Sequence, residues 1–281
     1  MRKIRYIFSD LDDTLLDSRK NVSERTVRLI AAIRRNYGVR FGVATGRDKA
    51  SVLPLLERTG LSRITDAAVT NNGVETLVRG APGSICLPKV PRKKIREIVR
   101  YYEKVPGLKI CFHNPDCFFT TRPDERSGKI AAENNRPRIA DPRADESYGE
   151  TPRAMLIFDP SDREKVKACV DAHSFSGLRL CLSEKDIYEY MDERVSKDRG
   201  IYAYVSQYRH DLSRVLAFGD SDNDVEMLRA CGIGIAMKNG TRAAREAASG
   251  VTAADADEDG VFRFLDSRWE LFEADPDGRR G

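Results

Sequence analysis

The sequence predicts an α/β protein whose core is a doubly wound parallel sheet, with a smaller α+β domain inserted into it. Strand and helix signals alternate in the first third of the chain and again in the last third, as in a parallel sheet with helices on both faces. In the middle, strand signals follow one another directly, which is typical of an α+β arrangement. A length of 281 residues is enough for about two domains.

The first third of the chain alternates short apolar runs with helical patterns. These patterns predict strands at 4–8, 39–44 and 67–70, a helix that begins at Ser23 and ends before Gly38, and a helix at 50–58. Serine is a common N-cap residue, and glycine is the residue that most often follows a helix C-terminus. The two ends of the first helix are therefore marked in the sequence.

The middle of the chain, from 82 to 190, is predicted to form the inserted domain. Prolines and a glycine interrupt the pattern at 82–91. The patterns that follow predict helices at 92–104 and 161–172 and strands at 108–113, 117–121 and 154–158, with two more strands within 178–190. A polar stretch rich in arginine, proline and aspartate occupies 122–152.

The last third returns to the alternating pattern. It predicts helices at 198–208, 222–230 and 241–248, strands at 215–218, 233–237 and 250–253, and a final helix that ends near Phe272. The tail after Glu273 is predicted to be loose. Residues 1–81 and 191–281 should therefore form one discontinuous domain, and residues 82–190 the other.

The composition excludes several classes of protein. The formal charge of +4 comes from 48 basic and 44 acidic residues mixed along the chain, which is too mild to indicate a nucleic-acid partner. No stretch approaches the ~20 apolar residues that span a bilayer. The apolar run that ends at Asp10 is too short for a signal peptide, so a cytoplasmic location is expected. Six scattered cysteines and three histidines do not support a zinc site, and no feature sets the oligomeric state.

The segment DLDDTL, residues 10–15, directly follows the first predicted strand. Ligands of open α/β sheets bind at the carboxyl ends of the strands. Asp10 and Asp12, two residues apart at that edge, can face one ligand, one as nucleophile and the other as acid and base. For this segment alone, an aspartate-rich turn that caps a helix is an equally good interpretation.

The segment GDSDND, residues 219–224, follows the strand predicted at 215–218. Its three carboxylates and one amide form a cluster of hard oxygen atoms, which suits Mg²⁺. The alternative is a capped turn with Ser221 or Asp222 at the start of a helix.

Two further segments can bind phosphate. In ATGR, residues 44–47, a hydroxyl and free backbone N–H groups at a helix start can hold a phosphate group. Lys197, just before a predicted helix, can act as a point charge on phosphate oxygens. Ordinary turn chemistry or a surface lysine explains each segment alone, but their conjunction with the two acidic segments favours phosphate chemistry.

Together the four segments resemble the motifs of the haloacid dehalogenase superfamily in order and spacing. DLDDTL resembles its first motif, ATGR its threonine motif, Lys197 its lysine and GDSDND its acidic motif. The insert between Thr45 and Lys197 resembles the large cap of the Cof-type (class IIB) phosphatases. The phrases NNGV at 71–74, GDSDNDVEML at 219–228 and DEDGV at 257–261 are also similar to that subfamily. The resemblance covers nearly the whole chain and implies a Rossmann-like core with an α+β cap.

The resemblance implies a role for each matched residue. Asp10 would be the nucleophile and a Mg²⁺ ligand, and Asp220 would complete the metal ligands. Asp12 would be the general acid and base and would bind Mg²⁺ through its backbone carbonyl. Asp224 would support the metal-bound waters or Lys197 without binding the metal. The phosphoryl oxygens would be held by the backbone of Leu11 and by Thr45, Gly46, Lys197 and Asn223.

Two positions depart from the family pattern. Asp13 stands where many relatives carry glycine, which adds a negative charge near the site. Lys197 is followed by Asp198 and Arg199, with glycine only at 200, whereas the family often has glycine directly after the lysine.

The resemblance implies a Mg²⁺-dependent phosphatase that acts on a small phosphorylated metabolite, such as a sugar phosphate or a cofactor or nucleotide phosphate, through an aspartyl-phosphate. One alternative is a phosphomutase on hexose phosphates, because such enzymes keep both aspartates on this scaffold. Another is a non-catalytic phospho-acceptor or binding domain. In this family the cap selects the substrate, and its candidate residues here are His113, Asn114, Arg122, Arg126, Arg136 and Arg138.

Overall fold

Two compact units make up the chain, of which the computed structural model describes residues 3–133, 136, 138–184 and 186–272. One unit comprises Met1–Leu87 and Ser196–Gly281, and the other comprises Pro88–Val195. These boundaries lie later than the expected 81/82 and 190/191, because a strand at 84–86 joins the sheet of the first unit and a strand at 187–192 joins that of the second. The tail after Glu273, expected to be loose, lies outside the described residues.

Fourteen strands and nine α-helices lie within the described residues. The strands are β1 (Tyr6–Ser9), β2 (Arg40–Ala44), β3 (Thr65–Thr70), β4 (Glu75–Val78), β5 (Ser84–Cys86), β6 (Lys109–His113), β7 (Cys117–Thr120), β8 (Arg138–Ala140), β9 (Ala154–Ile157), β10 (Leu178–Glu184), β11 (Ile187–Asp192), β12 (Val215–Gly219), β13 (Ile233–Ala236) and β14 (Gly250–Val251). The helices are α1 (Glu24–Tyr37), α2 (Lys49–Arg58), α3 (Arg92–Tyr102), α4 (Glu125–Glu133), α5 (Arg163–Asp171), α6 (Lys197–Val205), α7 (Val225–Ala230), α8 (Arg242–Ala247) and α9 (Gly260–Asp266). Across this part of the chain, no helix has the length and apolar character needed to cross a membrane.

The first unit is built on an eight-stranded sheet in the order β14-β13-β12-β1-β2-β3-β4-β5. The six strands from β14 to β3 are parallel, and β4 and β5 add an antiparallel hairpin at one edge. From β1 the chain continues through β2 and β3 towards one edge of the sheet, and from β12 it continues through β13 and β14 towards the other edge. The switch point of this doubly wound sheet therefore lies between β1 and β12. The predicted fold class is confirmed. The hairpin was not predicted, because strands of four and three residues give too short a pattern.

Alternate residues of β1 face opposite sides of the sheet. Ile7 packs in a cluster with apolar side chains of α1, α2 and α9. Tyr6 and Phe8 pack in another cluster with side chains of α6 and α7. Because side chains alternate along a strand, each face of this central strand is covered by helices.

The second unit contains a six-stranded sheet in the order β10-β11-β9-β6-β7-β8. Its pairs are antiparallel except for β7 and β8. Helices α3 and α5 pack on it in one apolar cluster through Ile95, Ile98, Val166 and Val170. Antiparallel pairing explains why strand signals are adjacent in this part of the sequence.

The polar stretch 122–152 contains α4 and β8, neither of which was predicted. Asp124 and Ser127 exchange hydrogen bonds at the start of α4, each side chain accepting from the backbone N–H of the other at 2.8 and 2.9 Å. This reciprocal cap is a local helix signal. The helix was not predicted because the composition of the surrounding residues is typical of a loop.

Three consecutive residues after β3 adopt the left-handed conformation. Asn71, Asn72 and Gly73 have φ angles of 49°, 53° and 110°. A Cβ atom on Gly73 would lie 2.1 Å from the carbonyl oxygen of Ser196, the residue before α6. Only glycine therefore allows the chain after β3 to approach the start of α6 this closely.

We expect Gly73→Ala to destabilise the protein more than Gly80→Ala. Both glycines have positive φ angles, but a Cβ atom on Gly80 meets no atom within 4 Å. Gly80→Ala should lower the free energy of unfolding only by the cost of placing alanine in the left-handed conformation, about 1 kcal/mol. Gly73→Ala adds a steric clash that should cost a further ~1–3 kcal/mol. Urea unfolding measures both losses, and equal losses would contradict the close approach of Gly73 to Ser196.

Candidate active site

Three loops meet at the carboxyl ends of β12, β1 and β2, which are adjacent in the sheet. Residues 10–15 follow β1, residues 45–47 follow β2 and residues 220–224 follow β12. The nine site residues expected from the sequence all lie in these loops or at the first position of α6. They are Asp10, Leu11, Asp12, Thr45, Gly46, Lys197, Asp220, Asn223 and Asp224.

Asp10, Asp220 and Asp224 form a cluster of buried carboxylates. One oxygen atom from each lies within 4.8 Å of the other two, close enough for the three side chains to approach one cation. The backbone N–H of Asp10 donates to the Phe218 carbonyl at 2.9 Å, which ties the loop after β1 to β12.

Lys197 is the cation that contacts this cluster. Its Nζ lies 2.9 Å from Asp10 Oδ1 and 2.6 Å from Asp224 Oδ1, and the side chain is completely buried. Burial alone would lower the pKa of Lys197, but the charges of Asp10 and Asp224 outweigh it and raise the pKa. Lys197 is therefore charged at neutral pH.

Asp224 also closes the turn after β12. Its Oδ2 accepts hydrogen bonds from the backbone N–H groups of Asp220 and Ser221, both at 3.0 Å. Ser221 caps the short 3₁₀ turn that leads into α7. The capped-turn interpretation of GDSDND is thus correct, and the same turn places Asp224 against Lys197.

Burial raises the pKa values of two of the three carboxyl groups. For Asp220, burial and then the negative charge of Asp224 raise the pKa to about 6, although Oδ1 accepts a hydrogen bond from Thr14 Oγ1 at 2.6 Å. For Asp10, burial raises the pKa against the opposing effect of Lys197. Three carboxylates faced by one lysine leave an excess of negative charge, which a bound cation would balance.

The Asp12 carboxylate lies outside this cluster and contacts two other cations. Arg47 donates to it from Nε at 2.6 Å and from Nη2 at 2.8 Å, and Lys20 Nζ lies 2.9 Å from its Oδ1. Burial would raise the pKa of Asp12, but Arg47 and Lys20 outweigh it and lower the pKa to about 2. Asp12 is therefore ionised at neutral pH.

Arg47 and Lys20 were not among the site residues expected from the sequence. Arg47 carries a signal, because it ends the ATGR segment. Lys20 carries none, because it lies ten positions after Asp10 in a polar loop. Only the folding of that loop brings it to Asp12.

The residues expected to hold phosphoryl oxygens are fixed by local hydrogen bonds. The Leu11 carbonyl accepts from the N–H groups of Leu15 and Leu16 at 3.1 and 2.8 Å, which closes the turn after β1. Thr45 Oγ1 accepts from the N–H of Arg47 at 3.1 Å. Asn223 donates from Nδ2 to Asn72 Oδ1 at 3.0 Å, which links the loop after β12 to the NNGV segment.

Asp13, the departure from the family's glycine, keeps the left-handed conformation with a φ angle of 57°. Its carbonyl oxygen accepts a hydrogen bond from Asn239 Nδ2 at 2.7 Å. Its side chain is exposed and does not join the carboxylate cluster. The added charge therefore lies beside the buried cluster and not within it.

Several candidate specificity residues of the second unit have partners within that unit. Asn114 Oδ1 accepts from the N–H groups of Asp116 and Cys117. The other partners are the Glu103 carbonyl for Arg122, Asp186 for Arg126 and Asp145 for Arg138. These contacts give each of the four side chains a structural role.

The fold and the site define an α/β enzyme with a carboxylate–lysine centre at the switch point of its sheet. Residues 7–265 match the family model of the haloacid dehalogenase-like hydrolases. The chain therefore belongs to this family, and the expected membership of the haloacid dehalogenase superfamily is confirmed. Membership of an enzyme family argues against the non-catalytic alternative.

Individual relatives agree with this assignment. The chain is 25% identical to a putative phosphatase of Haemophilus influenzae, over 94% of this chain and 97% of that one. It is 28% identical to the 5-amino-6-(5-phospho-D-ribitylamino)uracil phosphatase of Bacillus subtilis, over 93% and 96%.

Solved structures share the fold. A subclass IIB sugar phosphatase of the superfamily has a TM-score of 0.77 at 22% identity, covering 93% of this chain and 98% of that one. A haloacid dehalogenase-like hydrolase of B. subtilis has a TM-score of 0.80 at 20% identity, covering 94% and 100%.

We expect Asp220→Asn to stabilise the protein in EDTA at pH 7. The pKa of Asp220 is about 6, above the ~3.9 of an unfolded aspartate, so the native state binds its proton more tightly. The contribution of Asp220 to the free energy of unfolding is fully present below pH 4 and is lost as the pH rises through 6. The amide, which still accepts from Thr14, should recover up to about 2–3 kcal/mol at pH 7 and much less at pH 4. Thermal unfolding at both pH values tests this, and a loss of stability at pH 7 would contradict it.

Proposed function

We propose that the chain is a Mg²⁺-dependent phosphatase that hydrolyses a small phosphorylated metabolite through an aspartyl-phosphate at Asp10. The observation that carries this proposal is the buried contact of Lys197 with Asp10 and Asp224, beside the carboxylate of Asp220. A buried anion at the switch point, next to a fixed cation, is suited to attack a phosphoryl group whose negative charge must be offset.

The donor set fits Mg²⁺. Carboxylate oxygens are hard ligands, and the cluster carries more negative charge than Lys197 balances. Asp10, Asp220 and the backbone carbonyl of Asp12 would hold the ion, while Asp224 is already occupied by Lys197 and two backbone N–H groups. When bound, Mg²⁺ supplies electrostatic stabilisation of phosphoryl oxygens.

In the first step, an Asp10 carboxylate oxygen attacks phosphorus. The bond from phosphorus to the ester oxygen breaks, and Asp12, which is ionised in the substrate-free site, passes to the departing oxygen a proton that it takes up from solvent when the substrate binds. Lys197 stabilises the charge on the phosphoryl oxygens, and Leu11, Thr45, Gly46 and Asn223 orient the group. Asp10 then carries the phosphoryl group.

In the second step, a water molecule attacks the phosphorus of the aspartyl-phosphate. Asp12 accepts a proton from that water, the phosphorus–oxygen bond to Asp10 breaks, and inorganic phosphate leaves. Asp10 returns to its carboxylate form, and Asp12 releases to solvent the proton it took from water and is ionised again, so the cycle balances.

The names of two similar proteins support the choice of substrate class. The B. subtilis relative is named for a phosphorylated ribitylamino-uracil, and the structural neighbour for sugar phosphates. We therefore propose a sugar phosphate or a cofactor or nucleotide phosphate as the substrate. A cytoplasmic location belongs to the same proposal.

We expect Asp10→Asn to abolish phosphate release. The amide keeps the size of the side chain but is not a nucleophile, so kcat should fall by more than about 1000-fold. Phosphate release from a panel of sugar, nucleotide and cofactor phosphates, with Mg²⁺ and with EDTA, measures this. The matched control is Glu246→Gln on α8, a carboxylate-to-amide change at an exposed ion pair with Arg242.

The same panel of phosphate esters also distinguishes a phosphatase from a phosphomutase. No release by the unmodified protein from any ester would contradict the phosphatase proposal. Isomerisation of a hexose phosphate faster than its hydrolysis would instead indicate the phosphomutase.

We expect Mg²⁺ to raise the stability of the unmodified protein more than that of Asp220→Asn. A ligand that binds only the native state at 100 times its Kd adds about 2.7 kcal/mol. The variant lacks one carboxylate and should gain less at the same Mg²⁺ concentration. Thermal unfolding across a Mg²⁺ titration measures this without an activity assay, and equal gains would argue against Asp220 as a ligand.

A further inference from the structure

We propose that Arg47 and Lys20 form a cationic clamp that positions the Asp12 carboxylate to accept a proton from water in the second step. This inference rests on the proposed function and adds two positioning residues to it. Both cations contact Asp12 directly, and they reach it from different loops.

Arg47 is fixed to the sheet at its backbone. Its N–H donates to Thr45 Oγ1 at 3.1 Å, and its carbonyl accepts from the N–H of Asn71 at 2.8 Å. The guanidinium then contacts Asp12 with two nitrogens, at 2.6 and 2.8 Å. A two-pronged contact of this kind sets the orientation of the carboxylate plane as well as its position.

Lys20 is fixed by the turn in which it lies. Its N–H donates to the Asp17 carbonyl at 2.8 Å, and its carbonyl accepts from Arg58 Nη2 at 2.8 Å. The φ angle of Lys20 is 60°, a left-handed conformation that is uncommon for a lysine. The turn directs the ammonium group back to Asp12 Oδ1 at 2.9 Å.

Lys20 also lies close to the charge of Asp13, the residue adjacent to Asp12. Its Nζ lies 3.8 Å from Asp13 Oδ1. Two adjacent aspartates would repel one another, and one ammonium group between them reduces that repulsion. The clamp therefore keeps Asp12 in place despite Asp13.

Among the contacts of the described residues, the clamp leaves one acceptor position on the Asp12 carboxylate. A carboxylate has about four lone-pair positions. Arg47 Nη2 and Lys20 Nζ occupy Oδ1, and Arg47 Nε occupies one position on Oδ2. The remaining position on Oδ2 is the one that can accept a proton from the attacking water, and the clamp fixes its direction.

Burst kinetics with 4-nitrophenyl phosphate and Mg²⁺ test this proposal. Nitrophenolate departs without a proton, so transfer of the phosphoryl group to Asp10 does not need Asp12 as an acid. Hydrolysis of the aspartyl-phosphate still needs Asp12 as a base. In Arg47→Gln and Lys20→Gln, we expect the burst rate to stay within about twofold and the steady-state rate to fall about 10- to 100-fold. Acid-quenched protein should then carry more phosphate on Asp10 than the unmodified protein does.

Two further variants complete the test. Lys20→Arg keeps the cation and should restore much of the steady-state rate, and the control Arg242→Gln removes a surface cation paired with Glu246 on α8. The Lys20 side chain is 41% exposed, so its replacement is compatible with folding. An equal fall in burst and steady-state rates, or no change in either, would overturn the clamp. Failure of the proposed function would be seen separately, as absence of turnover by the unmodified protein.

Discussion

Charge balance at the carboxyl edge of the first unit's sheet governs the arrangement of the site. Asp10, Asp220, Asp224 and Lys197 are all buried there, and an unpaired charge in such a place costs several kcal/mol. Lys197 contacts two of the three carboxylates and leaves an excess of negative charge. The ion pairs tie the loop after β1, the turn after β12 and the first turn of α6 to one point. The same excess charge makes the position favourable for a divalent cation.

A second charge centre lies beside the first and is organised differently. Asp12 is two residues from Asp10, yet its carboxylate contacts Arg47 and Lys20. The two aspartates consequently have opposite environments: burial raises the pKa of Asp10, and two cations lower that of Asp12. The backbone accepts strain to hold them, since Asp13 adopts a left-handed conformation that an asparagine side chain, Asn239, secures.

The fold class could be predicted because its signals are local and repeated. Helix α1 shows this, since Ser23 caps it through the N–H of Thr26 and Gly38 ends it with a φ angle of 64°. The elements that were missed are short or polar. Strands β4 and β5 have four and three residues, and α4 lies in a stretch with the composition of a loop. Their formation depends on pairing and packing partners far away in the sequence.

The sequence by itself determined which residues could carry phosphate chemistry, because each motif places its polar side chains directly after a predicted strand or at the start of a helix. It also determined the alternation that builds a doubly wound sheet. Only the tertiary structure decided which charges face one another. Lys197 meets Asp10 and Asp224, and Lys20 meets Asp12, because strands distant in sequence become neighbours in the sheet and turns direct side chains across the gaps between loops. The strength of the interaction between two charges depends on the distance between them in space, and the spacing of residues along the chain does not give that distance.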